Sequence, residues 1–347
     1  MKQITIAGQK VERGRRACIR VPVTMDLNGS DIAFSVHVLA GAEPGPTVAI
    51  LNALHGCEWQ TIEFIRRLLP DLNPAEMRGN LLVVPVANPV AFCTGTRSIQ
   101  DESDGNDLNR AFGGKFTWIA DLLAGALERE VLRQCDYMMD FHGGNFASVF
   151  EDVGYPMDLP NPTVVKESKD LARAFGAPLV TRQHCMTVFP GPRSSFGYCG
   201  AVLNIPNIGP EIGGAGFDRA LEEKWTGMNI RGVKNVMKHL KIIDGTPELP
   251  KRYFVWEKRY RVNPTVGGYL VPNIDPADAV LHEVKSGEVL GVVYNPYTLQ
   301  EAEKLIAPCD GRLLYSCRSY MVRPGYWAFG VIDGTDPGSK WVTPDEL

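Results

Sequence analysis

No apolar run in this 347-residue chain is long enough to span a bilayer, and no block of like charge stands out along it. With 36 basic against 40 acidic side chains and a formal charge of -4, there is no electrostatic case for binding nucleic acid or a membrane surface. Cys-x-x-Cys spacing is also missing. The eight cysteines, at positions 18, 57, 93, 135, 185, 199, 309 and 317, are thinly spread, which predicts free thiols in a reducing compartment. Met1 to Thr5 open no apolar signal-peptide core, so a cytoplasmic location is expected. Helical heptads and low-complexity tracts are absent.

Several familiar catalytic patterns are incomplete. Gly113-Gly114-Lys115 resembles the end of a phosphate loop, but Asn109 stands where its first glycine should be. His282-Glu283 opens like a zinc-protease helix, yet Ser286 replaces the second histidine. Ser194 and Ser195 lack the glycine-framed elbow of a serine hydrolase. His37, His184 and His239 have no partner pattern and are assigned to core or surface, with His184 a minor candidate for lining the pocket.

What the chain does contain is organised around Ala53 to Gln60. Thr47-Val48-Ala49-Ile50-Leu51 has the composition of a buried strand, and Trp59, Ile62, Ile65, Leu68 and Leu69 form an apolar stripe at helical spacing that Pro70 should close. His55 and Glu58 therefore sit three apart at a strand-to-helix junction, where one helical turn brings an imidazole and a carboxylate onto one face. Strands are predicted at Ala17 to Val23, Ile32 to Leu39 and Leu81 to Val86, so that strand and helix alternate as in a doubly wound sheet. The long polar stretch from Ala87 to Gly114, too long to be idle in a compact domain, holds Asn88-Pro89, Arg97, Asp107, Asn109 and Arg110.

Trp118 to Leu132 reads as a helix, and Tyr137 to Phe141 as a strand that ends at His142, where sites collect in open α/β sheets. Val164 to Phe175 reads as a helix stopping at Gly176, Val202 to Ile208 as a strand, Glu211 as part of a glycine-framed turn, and Asp218 to Leu240 as a long helix. Turn formers from Asp244 to Pro250 mark a boundary. The glycine-punctuated runs Val266 to Leu270, Gly287 to Val293 and Gly311 to Tyr315 predict a small β-barrel beyond it.

Zinc hydrolysis needs about three protein ligands, an open position, a base and a cation beside the developing oxyanion. His55, Glu58 and His142 supply the first set, Glu211 a base, and Arg97 and Arg110 two cations. His55-Gly56-Cys57-Glu58, Asn88-Pro89 through Arg97 to Asp107-Leu108-Asn109-Arg110, Asp140-Phe141-His142, and Pro210-Glu211-Ile212-Gly213-Gly214, in this order, resemble the succinylglutamate desuccinylase and aspartoacylase family of zinc carboxypeptidase-like hydrolases.

The resemblance implies an α/β fold, a zinc carboxypeptidase-like doubly wound mixed sheet with a small C-terminal all-β barrel domain, and the turn-former stretch divides the two at 1–247 and 248–347. It also implies one Zn2+ per chain on His55, Glu58 and His142, water activation by Glu211, carbonyl polarisation by Arg97, and a grip on the substrate carboxylate by Asn109 and Arg110. Asp140 is placed either to orient His142 as an acceptor behind its imidazole or to serve as a strand-end turn residue. The structural alternative for Arg110 is a brace to Asp107 or Asp104. Cys57 stands where relatives often carry a small polar or acidic residue, so sensitivity to oxidation or to soft metals is expected.

The tail also resembles biotinyl or lipoyl barrels, but Lys304 is only three residues before Ala307 and has no flanking methionine. It is read as an unmodified cap bordering the active-site mouth or a homo-oligomer contact. The expected activity is deacylation of a small N-acyl amino acid. A carboxypeptidase acting on short peptides and a non-enzymatic small-ligand binding protein are the alternatives.

Overall fold

The computed structural model describes residues 3–100, 107–115, 118–145, 148–186 and 192–347. In the strand Glu43–Asn52, Val48, Ala49, Ile50 and Leu51 are fully buried. A strand apolar on both faces needs neighbours on each side and cover above and below. Arg78–Val84 and Tyr137–Phe141 flank it, both parallel, and Asn207–Gly213 runs parallel to Tyr137–Phe141. Farther out the sheet becomes antiparallel, through Asp31–Ala40 and Arg15–Met25 on one side and Ser148–Pro156 on the other. The result is a large mixed sheet.

Parallel neighbours require crossovers, and these supply the cover. One face carries the helix Ile119–Glu130, whose Leu123 and Leu127 join Phe34, Leu51 and Leu82. The other carries Ile62–Asp71, Pro162–Phe175 and Arg219–His239, whose Phe64, Phe175 and Val236 pack with Ile50, Met139 and Phe141. No described helix is long and apolar enough to cross a membrane.

Helix ends follow their local chemistry. Gly176 takes a left-handed φ of 83° where the sequence predicts a stop. Asp218 accepts hydrogen bonds from the N–H groups of Ala220 and Leu221 at 2.8 and 3.1 Å, which fixes the start of the long helix. Asp218→Ala should therefore lower unfolding stability by about 1 kcal/mol, and an unchanged urea midpoint would show that the cap contributes nothing.

Three expectations need correction. Pro70 lies inside the last turn of its helix, which ends at Asp71. Val202 to Ile208 is not a strand: the helix Ser195–Ala201 precedes it, and Asn204 adopts a φ of 55° that breaks extended backbone. The strand instead runs Asn207–Gly213, so Glu211 projects from a sheet and not from a turn.

The C-terminal segment has its own apolar cluster around Leu270, Leu290, Val293, Leu305 and Phe329. It is nonetheless joined to the large sheet, because Tyr253–Trp256 pairs with Leu179–Gln183 and Gly311–Cys317 with Ser148–Pro156. Its four-stranded sheet is ordered Glu301–Ile306, Val289–Tyr294, Gly268–Pro272, Tyr320–Val322. Among the described residues no pairing joins the first strand to the last, so hydrogen bonding does not close a barrel.

Candidate metal centre

The parallel strands Glu43–Asn52 and Tyr137–Phe141 end at the same edge of the sheet. After the first, Ala53 takes a left-handed φ of 51° and turns the chain off the strand. Asn88 holds that turn: its N–H donates to Ala53 O at 3.1 Å, its Nδ2 donates to Leu54 O at 3.2 Å, and its Oδ1 caps the helix Pro89–Thr94. Gly56 lets the two segments touch, since a Cβ there would lie 2.1 Å from the backbone of Ala91. The Asn88-Pro89 motif is thus a buttress beneath His55 and Glu58.

His142 is the first residue beyond Tyr137–Phe141. Its N–H donates to Pro210 O at 2.8 Å and its carbonyl accepts from Ile212 N–H at 3.1 Å, so these two bonds straddle Glu211 and set it beside His142.

His55, Glu58 and His142 are all buried, and one ligand atom from each lies within 4.8 Å of the others. His55 Nδ1 is 2.8 Å from Glu58 Oε1, and His142 Nδ1 is 2.8 Å from Glu58 Oε2. The outward nitrogens meet two further carboxylates, His55 Nε2 at 3.1 Å from Asp107 Oδ1 and His142 Nε2 at 3.0 Å from Asp140 Oδ2. Two imidazoles turned inward on one carboxylate, each backed by another, form a donor set that fits zinc.

Charge is concentrated at this centre. Burial alone would lower both histidine pKa values, but Glu58 and Asp107 raise that of His55, and Asp140 and Glu58 raise that of His142 further. Burial opposes ionisation of Glu58 too, and the two histidines outweigh it, holding the carboxyl well below its ordinary range. Glu211 goes the other way. Burial pushes it up to about 7, against the pull of His142 and with help from the Glu58 and Asp152 carboxylates. Asp152 faces Glu211 directly across the antiparallel pair.

Arg97 donates to Asp107 Oδ2 at 3.1 Å and lies 3.8 Å from Glu58 Oε1. Asp107 therefore links Arg97 to His55, and its Oδ1 also accepts from Asn109 N–H at 2.9 Å. Asn109 Nδ2 lies 3.3 Å from His142 Nε2. Arg110 donates to Asn109 O, and burial lowers its pKa. Of the two alternative braces for Arg110, Asp107 contacts His55 and Arg97 and its charge also raises the Arg110 pKa against burial, and Asp104 lies outside the described residues. His55, Glu58, His142, Glu211, Arg97 and Asn109 thus touch or directly adjoin one another, and Arg110 stands next to Asn109 within reach of the charges of Asp107, Arg97 and Asp140.

A sequence model of the succinylglutamate desuccinylase/aspartoacylase catalytic domain matches residues 44–240, more than half of the chain and all of these residues. The chain belongs to this family. Among individual relatives, it is 22% identical over 234 residues to the N-alpha-acetyl-L-2,4-diaminobutyric acid deacetylase of Halomonas elongata, a match covering 67% of this chain and 66% of that protein, just under two thirds of its length. A succinylglutamate desuccinylase/aspartoacylase crystal structure from Rhodobacter sphaeroides superposes with a TM-score of 0.78 at 24% identity, covering 96% and 99% of the two chains. The product-bound ectoine utilization protein EutE (DoeB) of Ruegeria pomeroyi gives 0.79 at 20% identity, covering 92% and 96%. At these identities the two structures establish a shared fold.

Against this family framework, sequence reasoning missed two contacts. Asp107 was visible in the Asp-Leu-Asn-Arg run but was given only a bracing role. Ser195, set aside as a failed nucleophile, is fully buried, and its hydroxyl and N–H reach Asp140 and Asn109. Its neighbour Ser194 caps the following helix by accepting from Gly197 N–H at 3.0 Å. His184 is paired with Glu257 at 2.6 Å. Burial, aided by Glu58, pushes the Cys57 thiol up to about 11, which disfavours the reactive thiolate at neutral pH. From the C-terminal segment, Tyr326 Oη donates to Asn145 Oδ1 at 3.4 Å and Arg318 donates to Gly216 O at 2.6 Å, so this segment borders the loops that follow His142 and Glu211.

Proposed function

We propose that this chain is a zinc-dependent hydrolase that cleaves the amide bond of a small N-acyl amino acid. The observation that carries the reading is the inward turn of both histidine Nδ1 atoms onto the two oxygens of Glu58, with Asp107 and Asp140 behind them. Held by His55, Glu58 and His142, zinc would supply Lewis acidity toward the scissile carbonyl and toward water.

The chain's own groups do the rest. Glu211, buried beside His142 and with its pKa raised by that burial, takes a proton from the attacking water and returns it to the leaving amine, a dual task open to a carboxyl that can hold the proton between the two transfers. Arg97 lies beside Glu58 and steadies the negative charge that develops on the carbonyl oxygen. Asn109 and Arg110 receive the substrate carboxylate, the guanidinium as a bidentate fork. Deacetylation of an N-acetyl amino acid, named for the Halomonas elongata relative, is a reaction of this class and supports the reading.

The test is zinc analysis together with turnover on a panel of N-acyl amino acids and dipeptides. Zinc near one per chain with preference for the acyl amino acids is expected, whereas preference for dipeptides would move the assignment to a carboxypeptidase. A narrower prediction concerns the carboxylate. Losing a charge-assisted hydrogen bond costs about 1.5–3 kcal/mol, or roughly tenfold to a hundredfold in affinity. Arg110→Lys should therefore raise KM by about that factor while Arg97→Lys mainly lowers kcat. Equal efficiency on matched substrates and their carboxamides would remove the carboxylate grip.

A further inference from the structure

Ser195 has no place in the mechanism above, yet it is the point where two arms of the site meet. Its side chain is fully buried at the first turn of the helix Ser195–Ala201. Its N–H donates to Asn109 Oδ1 at 2.9 Å, and its hydroxyl touches both Asp140 Oδ2 and, at 3.1 Å, Asn109 Oδ1. The hydroxyl carries one proton, and both neighbours are acceptors. The carboxylate is the stronger and closer acceptor, so the proton goes to Asp140 and the Ser195 N–H holds the Asn109 carbonyl.

The same proton count extends to the metal centre. Asp140 is acceptor-only, so His142 must present Nε2–H to it, and the inward, Glu58-facing Nδ1 is the nitrogen whose lone pair is left for zinc once the metal displaces its proton. A protonated Nε2 cannot accept from Asn109 Nδ2, and their 3.3 Å separation is therefore a contact and not a hydrogen bond. With its Oδ1 fixed on Ser195, the Asn109 amide is locked with Nδ2–H toward the histidine side. Among the described residues the buried Asp140 Oδ1 has no hydrogen-bond partner, so there Oδ2 carries the hydrogen bonding of this carboxylate, and Ser195 and His142 share it.

We propose that Ser195 is a positioning residue that couples the two halves of the site: its hydroxyl anchors Asp140, which sets the tautomer and direction of His142, while its N–H sets which end of the Asn109 amide faces the substrate. The inference rests on the proposed zinc site, and its test separates the two. Ser195→Ala removes only the hydroxyl. The backbone N–H remains and the helix cap belongs to Ser194, so folding and the Asn109 orientation should survive.

Loss of the partner behind a metal-ligating histidine typically weakens metal binding about tenfold to a hundredfold, and Ser195→Ala, which leaves that partner Asp140 in place but unanchored, should reach the lower end, about tenfold. The measurement is zinc affinity by chelator competition, with the thermal midpoint of the metal-free protein as the control. Zinc affinity lower by that factor, a nearly unchanged metal-free midpoint, KM close to wild type, and a Ser195→Ala/Asp140→Asn double variant no weaker than Asp140→Asn alone are expected. A lowered midpoint with unaltered zinc affinity would reduce Ser195 to a structural role and overturn the proposal. Should Ser195→Ala fail to fold, Ser195→Thr, which keeps the hydroxyl, must retain wild-type zinc affinity, and its loss of affinity would equally count against the coupling. If wild-type protein itself binds no zinc, the metal assignment falls first.

Discussion

Glu211→Gln is expected to keep its zinc and to lose on the order of 10²–10⁴-fold in turnover, the usual contribution of a general acid–base group. The amide preserves shape and leaves the backbone bonds that flank position 211 intact, since these run through Pro210 O and Ile212 N. What it loses is the ability to exchange a proton. Burial raises the Glu211 pKa and the group can act as base only when ionised, so wild-type kcat/KM should fall on the acid side of the pKa that Glu211 has with zinc bound.

The linkage has a definite sign. A carboxyl whose folded pKa lies above its unfolded value contributes stability on the acid side that is lost as pH rises from about 4.3 toward 7. Metal-free Glu211→Gln should therefore be more stable than metal-free wild type above pH 7. Near-normal turnover with full zinc would refute the role of Glu211, and an inactive variant without zinc would mean that the residue serves the metal.

His142→Ala should lose metal and activity together. It removes one of the three proposed ligands and leaves Glu58 Oε2 and Asp140 Oδ2 without their imidazole. In the metal-free protein both histidine pKa values are raised, that of His142 well above 6.5. Each imidazole then carries a proton on the inward nitrogen that zinc must displace, so apparent zinc affinity should decline as pH falls, by up to about tenfold per pH unit for each histidine. The stabilisation from these raised values is full below the unfolded histidine pKa and is lost as pH rises through the folded ones. Metal analysis after dialysis, and chelator competition across pH, check both statements. Full zinc occupancy in His142→Ala would sink the ligand assignment.

The composition of residues 47–51, the spacing of His55 and Glu58, the strand end before His142 and the capping chemistry of Asp218 and Gly176 were all readable in the sequence, because each depends on neighbours within a few residues. The ordered motifs identified the family for the same reason.

Other features depended on pairing across the chain. The strand Ser148–Pro156 was not anticipated, since Glu151 and Asp152 interrupt its apolar pattern. Glu151 is satisfied by Lys224 and Trp225 at 2.5 and 2.8 Å, and Asp152 by the Thr181 hydroxyl, all from distant elements. That strand in turn receives Gly311–Cys317 along its edge, which ties the C-terminal segment into the large sheet.

Asp140 was readable as a partner of His142 two residues away. Ser195, 55 residues farther on, was not, because a buried serine acquires its meaning from the acceptors that tertiary packing brings to it. The sequence by itself thus determined the His, Glu and His donor types of the candidate metal centre and the strand end that carries His142. Only the tertiary structure decided which carboxylates and hydroxyl back those donors, because hydrogen-bond direction in a buried site is fixed by the whole set of donors and acceptors that converge there.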